Sequence, residues 1–212
     1  MSAKLDQLIA NALAENGYTY PAETQNQFRL FLELLQKWNQ VFNLTAIRGA
    51  EDQVYRHLID SLSILPYLQG QRCLDVGSGG GLPGLPLAIA DPNRSWVLLD
   101  KSRKKTQFLV QVVAELGLKN VTVVCERCEN FHPETGFDSI VSRAFGTINL
   151  FLASTQHLLA ADGVFLAMKG THPRDELAAL PGGFSVLEVL PLKIQGLEAE
   201  RHLIRIGRKE DS

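Results

Sequence analysis

Between residues 74 and 84 the chain reads Leu-Asp-Val-Gly-Ser-Gly-Gly-Gly-Leu-Pro-Gly, with five glycines among the eight residues from Gly77 to Gly84. Few folds accept such a stretch. Glycine tolerates positive φ and lets backbone approach a ligand where a Cβ would block it. A buried strand (73–76) that runs into a glycine turn and then an apolar helix through Leu87 and Ile89 is the opening unit of a doubly wound α/β sheet. Downstream, strand-like runs at 96–99, 121–125, 137–141, 163–168, 184–190 and 202–206 alternate with helical patterns at 104–116 and 149–159. This alternation predicts a mostly parallel seven-stranded sheet with right-handed crossovers. Only a loop around Gly196 separates the last two runs, so they are expected to pair antiparallel at the C-terminal edge.

Three helical patterns precede the sheet. Leu5, Leu8, Ile9, Ala12 and Leu13 recur at helical spacing before an Asn16-Gly17 stop, and a longer pattern over 21–41 puts Phe28, Phe31, Leu32, Leu35, Trp38 and Phe42 on one stripe. A third, over 51–68, places Val54, Leu58, Leu62 and Leu65 inward and is closed by Pro66 and Gly70. Residues 1–69 are therefore expected to form a helical extension packed on a sheet domain at 70–212. With 212 residues the chain needs neither disulfide nor metal to fold, and its three cysteines suit a reducing cytoplasm. No run reaches the ~18 apolar residues of a membrane span. The net charge of −2, from 21 basic and 23 acidic residues, excludes a protein coated in positive charge but leaves room for a local basic patch. Nothing exposed and apolar in the sequence argues for a dimer, so a monomer is expected.

A phosphate-gripping Walker loop needs a lysine that Gly84-Leu85-Pro86 does not supply. A dinucleotide fingerprint is readable from Gly79 to Gly84, yet its glycines would start too late after the strand. An acid at the strand end followed by G-x-G-x-G suits S-adenosylmethionine better, because that ligand has no pyrophosphate and carries a cationic ammonium and sulfonium. On this reading Asp75, Gly77, Gly79 and Gly81 border the cofactor. Asp100, which closes the second strand 25 residues after Asp75, accepts the ribose hydroxyls, with helix capping as its alternative role.

The fourth strand ends in Ser142-Arg143-Ala144-Phe145, not in the N/D-P-P-Y-like tetrad of exocyclic amine methylation, and no cysteine sits next to a proline as a nucleophile. Cys125-Glu126-Arg127-Cys128 has no second pair to complete a zinc site and reads as two small residues flanking a pocket, so no metal is expected. An acceptor that needs no deprotonation remains. Guanine N7 is one, since its in-plane lone pair carries no hydrogen, and catalysis then rests on proximity and field. Lys101, Arg103, Lys104 and Lys105 follow the second strand, and Arg127, Arg143 and Lys169 follow the third, fourth and fifth. They are expected to ring one crevice as a landing site for polynucleotide, and Arg201 and Arg205 enter the last strand.

Several motifs outside the glycine loop make the chain recognisable: Trp38-Asn39, Asn43-Leu44-Thr45, Arg56-His57 with Asp60-Ser61, Leu99-Asp100, Ser142 to Phe145, Lys169-Gly170 and Glu200-Arg201-His202. With them it resembles the ribosomal RNA small subunit methyltransferase G family, also called glucose-inhibited division protein B (GidB), over nearly its whole length. The resemblance implies a class I (Rossmann-like) α/β methyltransferase with an N-terminal helical cap, which methylates guanine N7 at position 527 of bacterial 16S rRNA from S-adenosylmethionine in the cytoplasm. Its partner would be 16S rRNA or the 30S subunit or its assembly intermediate. The resemblance further implies that Gly77, Leu82, Cys128, Glu129 and Arg143 border the cofactor. Lys104, Arg127 and Arg201 match basic positions serving RNA binding or catalysis; Arg143, Arg201 and Lys104 are thus the catalytic candidates, and Lys101, Arg103, Lys104, Arg127, Lys169 and Arg201 the RNA-binding ones. Two departures are the Gly-Ser-Gly-Gly-Gly loop, where many relatives have Thr and Pro, and Cys128 at a commonly aliphatic position. A nicotinamide-dependent oxidoreductase and an RNA-binding assembly factor with a relict pocket are the rival readings.

Overall fold

The structure, a computed structural model, describes residues 2–209. Helix α1 (Ser2–Glu15) is stopped by Asn16 and by Gly17, whose φ of +76° no β-carbon favours. Helix α2 (Ala22–Phe42) buries Phe28, Phe31, Leu32 and Leu35 as its stripe predicts and ends on left-handed Asn43. The third helical segment departs from a plain helix over 51–68. It starts as α3 (Ala50–Gln53), widens to π geometry over Val54–Ile59 and finishes as α4 (Asp60–Leu62). Pro66 has no N–H to donate, and the chain past Leu62 makes only a short 3-10 turn, Leu65–Tyr67. The wide turn buries His57, Asp60 and Ser61 together, and the Ser61 hydroxyl donates back to the His57 carbonyl at 2.5 Å.

The sheet contains β1 (Arg72–Val76), β2 (Ser95–Leu99), β3 (Val121–Val124), β4 (Phe137–Arg143), β5 (Leu159–Lys169), β6 (Phe184–Pro191) and β7 (His202–Arg208). Their order is β3-β2-β1-β4-β5-β7-β6. All neighbours are parallel except those of β7, which runs against both β5 and β6, so the expected antiparallel edge is present. The crossovers carry α5 (Gly84–Ala90), α6 (Arg103–Leu116), α7 (Ile148–Thr155) and the short α8 (Arg174–Ala178). α7 ends four residues earlier than its apolar pattern suggests, because β5 begins at Leu159 and reaches Phe137 across a bulge.

Side chains alternate along each strand, and so each sheet face has its own core. On one face Cys73, Trp96, Leu98 and Val141 pack with Ile9, Phe28, Phe31, Leu58, Phe108 and Leu109, so the N-terminal helices share a core with the sheet. On the other, Leu74, Val76, Leu99 and Ile140 pack with Phe151, Phe165 and Ile204. The N-terminal helices are also stitched to the loop between β6 and β7. Asn16 and Gln195 exchange two hydrogen bonds of 2.8 and 3.2 Å, and the Tyr55 ring covers Gly196. Among the described residues no helix is long and apolar enough to cross a membrane.

Gly196 has φ of +83°, and an added Cβ would lie 2.3 Å from Tyr55. Gly196→Ala is expected to lower stability by about 1–3 kcal/mol through overpacking and left-handed strain. The loss should appear as a reduced urea midpoint in one cooperative transition monitored at Trp38 and Trp96; a separate early transition of the N-terminal helices would contradict the shared core.

Candidate active site

Two cavities open at the carboxyl ends of the parallel strands. The first, of about 330 Å³, is lined by Val76, Gly77, Leu99, Asp100, Cys128, Glu129 and Phe145, with Lys101, Lys105, Glu126 and Arg127 at its polar side. The second, of about 340 Å³, is lined by Ile47, Arg56, His57, Asp60, Arg143, Met168, Lys169, Gly170 and Arg201. Ala144 lines both. It sits in the turn after β4 with φ of +59°, an uncommon conformation for alanine.

The first cavity gathers Gly77, Asp100, Cys128, Glu129, Lys101 and Arg127, and it explains why Gly77 is glycine. Its φ is +71°, and a Cβ there would come 3.1 Å from the Phe145 ring. Asp100 shows more than the sequence suggests. One carboxylate oxygen accepts from the Gly79 N–H at 3.0 Å and the other from the Ser102 N–H at 2.8 Å. It thereby ties the glycine loop to the start of α6, and each oxygen keeps capacity for a further donor. Glu129 is held below the usual carboxylate range, chiefly by a backbone N–H, while burial and Glu129 push the Cys128 thiol up to about 11. The thiol is thus a neutral wall, and Cys125 is exposed outside the cavity. Among the described residues no group of three His, Cys, Asp or Glu side chains is placed to hold a metal.

Asp75 is corrected by the structure. Its carboxylate is wholly buried and lines neither cavity; it accepts from the Gly84 N–H at 3.0 Å. Strand alternation is the cause, because Asp75 shares its face with Cys73 and α5, whereas Val76 points to the cavity. Asp75 therefore fastens the loop to α5. Gly79, Gly81 and Leu82 likewise line neither cavity. Gly79 donates to Asp100, Gly81 makes room for Leu85 and Leu109, and Leu82 is a core side chain before a cis Pro83. These four residues shape the loop without touching the space beside it.

Arg143 moves from the first cavity to the second for the same reason, since it shares its face with Val141 and points toward the N-terminal helices. Its Nη1 donates to the Arg56 carbonyl at 3.0 Å and to Asp60 Oδ2 at 3.2 Å. Arg201 donates to Asp60 Oδ1 at 2.9 Å. Asp60, known from the sequence only within the Arg56-His57 and Asp60-Ser61 motif, is a carboxylate 2% exposed that holds two guanidiniums, from β4 and from the lead into β7. Burial pulls the Arg143 pKa down and Asp60 pushes it back. Lys169 lines the same cavity but is engaged by Glu176 at 2.9 Å and by the Gly146 carbonyl. Arg103 and Lys104 are exposed on α6 and line neither cavity, so Lys104 is not placed as a catalytic group; Lys105, a helical step further, takes the cavity side.

His57 completes the second cavity. Burial, with Arg143 nearby, pushes its pKa down to about 4, so the ring is neutral. Nδ1 lies 3.1 Å from the Arg56 carbonyl, which only accepts, so Nδ1 carries the hydrogen. Nε2 is then the acceptor for the Thr45 hydroxyl at 2.9 Å. Both ring nitrogens are occupied.

The strand order and the paired cavities at the strand tips define a class I methyltransferase. Solved structures share the fold: precorrin-6y C5,15-methyltransferase from Geobacter metallireducens (TM-score 0.53, 15% identity, covering 80% of this chain and 92% of that one) and the glycopeptide N-methyltransferase MtfA in complex with (S)-adenosyl-L-methionine (TM-score 0.60, 14%, 73% and 88%). The family model for rRNA small subunit methyltransferase G (GidB) matches residues 24–204, and the chain belongs to that family. Ribosomal RNA small subunit methyltransferase G of Laribacter hongkongensis is 50% identical over 96% of this chain and 98% of its own. The Chromobacterium violaceum protein of the same name is 56% identical over 83% and 85%.

Burial raises the Asp75 pKa to about 7, against the Gly84 N–H that favours the carboxylate. The folded state then binds the proton more tightly than the unfolded chain, so this group's contribution is fully present below pH ~4 and is lost as pH rises through 7. Relative to Asp75→Asn, the wild type should lose stability by a few kcal/mol, on the order of 1.4 per pH unit, between pH 4 and 7 and then level off. Parallel curves for the two proteins in urea titrations would refute an acid carried in that pocket.

Proposed function

We propose that the chain methylates N7 of guanine 527 in 16S rRNA, using S-adenosylmethionine held in the first cavity and the guanine in the second. The observation that carries this reading is Ala144, which faces both cavities at the tip of β4, so that donor and acceptor sites meet at one residue.

The first cavity fits the donor chemically. Asp100 would take the ribose hydroxyls with its remaining acceptor capacity, the Gly77 backbone would lie along the amino-acid portion, and Cys128 and Glu129 would border the adenine. When bound, this cofactor supplies an electrophilic methyl group on a positively charged sulfur. Asp100, Glu126 and Glu129 are the carboxylates of this cavity that could face that cation, beside Lys101, Lys105 and Arg127.

The second cavity suits a base that needs no proton removed. His57 is neutral with both nitrogens engaged, and Asp60 is committed to two arginines, so neither stands ready as a general base. Arg143 and Arg201 present fixed N–H groups to an acceptor and to its phosphate, where planar guanidinium forks match nucleic-acid anions. Catalysis then rests on alignment and field. Lys101, Lys105 and Arg127 at the first cavity, with Arg103 and Lys104 on the outer face of α6, would carry the flanking backbone of the RNA. Residues 1–69 serve as a cap that builds one wall of the acceptor site, the enzyme acts as a monomer on 16S rRNA within the small subunit or its precursor, and it works in the cytoplasm.

Reading modified nucleotides in 16S rRNA from cells with and without the gene tests this assignment. Loss of one 7-methylguanosine, at position 527, is expected, and an unchanged pattern would overturn it. Within the site, Asp100→Ala should weaken cofactor binding by about 1–3 kcal/mol through its lost charged hydrogen bonds. Arg201→Ala should leave that affinity within about twofold while slowing transfer to RNA by about tenfold or more, the worth of one charged contact. Calorimetry with the cofactor and single-turnover transfer separate the two effects, and an equal loss of both in Arg201→Ala would refute the division of labour.

A further inference from the structure

The C-terminal end of α2 carries an aromatic surface that neither cavity uses. Trp38 and Phe42, one turn apart, have ring centroids 5.2 Å apart and planes inclined by 31°, and Phe108 of α6 lies 5.6 Å behind Trp38. Trp38 and Phe108 anchor this stack in the core. Its outer end is open: Phe42 is 37% exposed and its neighbour Val41 72%.

What lies beside that open ring follows from how the helices pair. Gln27 near the start of α2 donates to the carbonyl of Leu116 at the end of α6, while Trp38 meets Phe108, so the two helices run antiparallel. By that pairing Phe42, one turn beyond Trp38, lies toward the same end of the helix pair as the first turn of α6, Arg103-Lys104-Lys105. Arg103 and Lys104 are exposed there, and cations at a helix N-terminus oppose the helix dipole, so helix stability does not account for them. From Phe42 the chain leads directly into the site. Leu44 packs against Gly80 of the glycine loop, Thr45 donates to His57, and Ile47 lines the acceptor cavity. Ile47 follows Phe42 by five residue steps, which limits the distance to about 18 Å, a reach of a few nucleotides.

We infer that Phe42, backed by Trp38, is a stacking platform for an unpaired base that flanks the methylated guanine, with Arg103 and Lys104 holding the adjoining phosphate. An exposed aromatic face next to cations is how single-stranded RNA is held by stacking and charge together, and the positive flank favours this occupant over an apolar protein surface. The inference rests on the reading of RNA as the substrate and adds the contact that orients it.

The test compares Phe42→Leu, which keeps an apolar side chain but removes the π face, with Phe42→Tyr, which restores it. In methyl transfer to 16S rRNA, Phe42→Leu is expected to raise KM for RNA about tenfold with kcat and cofactor affinity within twofold, and Phe42→Tyr to return KM to near wild type. A single-stranded oligonucleotide carrying 2-aminopurine should be quenched by the wild type and by Phe42→Tyr, and not by Phe42→Leu. A wild-type KM in Phe42→Leu, or a loss that Phe42→Tyr does not rescue, overturns the platform. A dimer in sedimentation that Phe42→Leu dissolves also overturns it, since the occupant is then a second copy. Quenching by a wild type that transfers no methyl to rRNA supports the platform and removes the rRNA reading; transfer with no quenching does the reverse.

Discussion

Adjacent residues at the tip of a β-strand point to opposite faces of the sheet, and in this protein that constraint divides the site. At the end of β1, Asp75 turns toward α5 while Val76 turns toward the first cavity. At the end of β4, Arg143 turns toward the N-terminal helices. Parallel pairing aligns these tips, since Asp75 is in register with Val141 and with Leu98. The outcome is two chemically different spaces, one on each side of the strand tips. The first sets Asp100, Glu126 and Glu129 among Lys101, Lys105 and Arg127, and the second sets Arg143 and Arg201 around the buried Asp60. Each is built from residues that the sheet has already sorted.

Asp60 makes the second space possible. A carboxylate buried to this degree is costly to desolvate, and only close pairing compensates it. Its partners are 83 and 141 residues away in sequence, on the fourth strand and at the entry to the seventh. The ion cluster therefore forms only when the cap, the centre of the sheet and its antiparallel edge are all in place. The π turn before Asp60 belongs to the same arrangement, because it buries His57, Asp60 and Ser61 on one side of the segment. Thr45 then locks His57 and links the end of α2 to that segment. The N-terminal helices are thus a wall of the site as well as a cover for the sheet.

The periodicities of two and 3.6 residues made the seven strands, their alternation with helices and the antiparallel edge legible before any coordinates, since burial patterns encode them. Gly77 and Asp100 were singled out because they follow strand ends, and Cys128 and Glu129 by the family resemblance; all four line the first cavity. The assignments that changed concern the directions of side chains. Asp75 and Arg143 follow from strand alternation, and counting from Val76 and Val141 would have placed both on the cap face. Lys104 and Lys105 differ by one step of a helix, about 100°, and a run of cations does not say which step faces inward. Asp60 was visible only as part of the Arg56-His57 and Asp60-Ser61 motif. Its two partners lie on distant segments, and no local pattern records that they converge.

Ala144 connects these observations. Holding a non-glycine residue at φ of +59° costs about 1 kcal/mol or more, and the surrounding contacts must impose it. On its N-terminal side Arg143 is fixed by the Arg56 carbonyl and by Asp60. On its C-terminal side the Phe145 ring rests over Gly77 and packs with Phe151 at 5.9 Å between centroids. The peptide between the two cavities is thus gripped on one side by an ion pair and on the other by an aromatic contact.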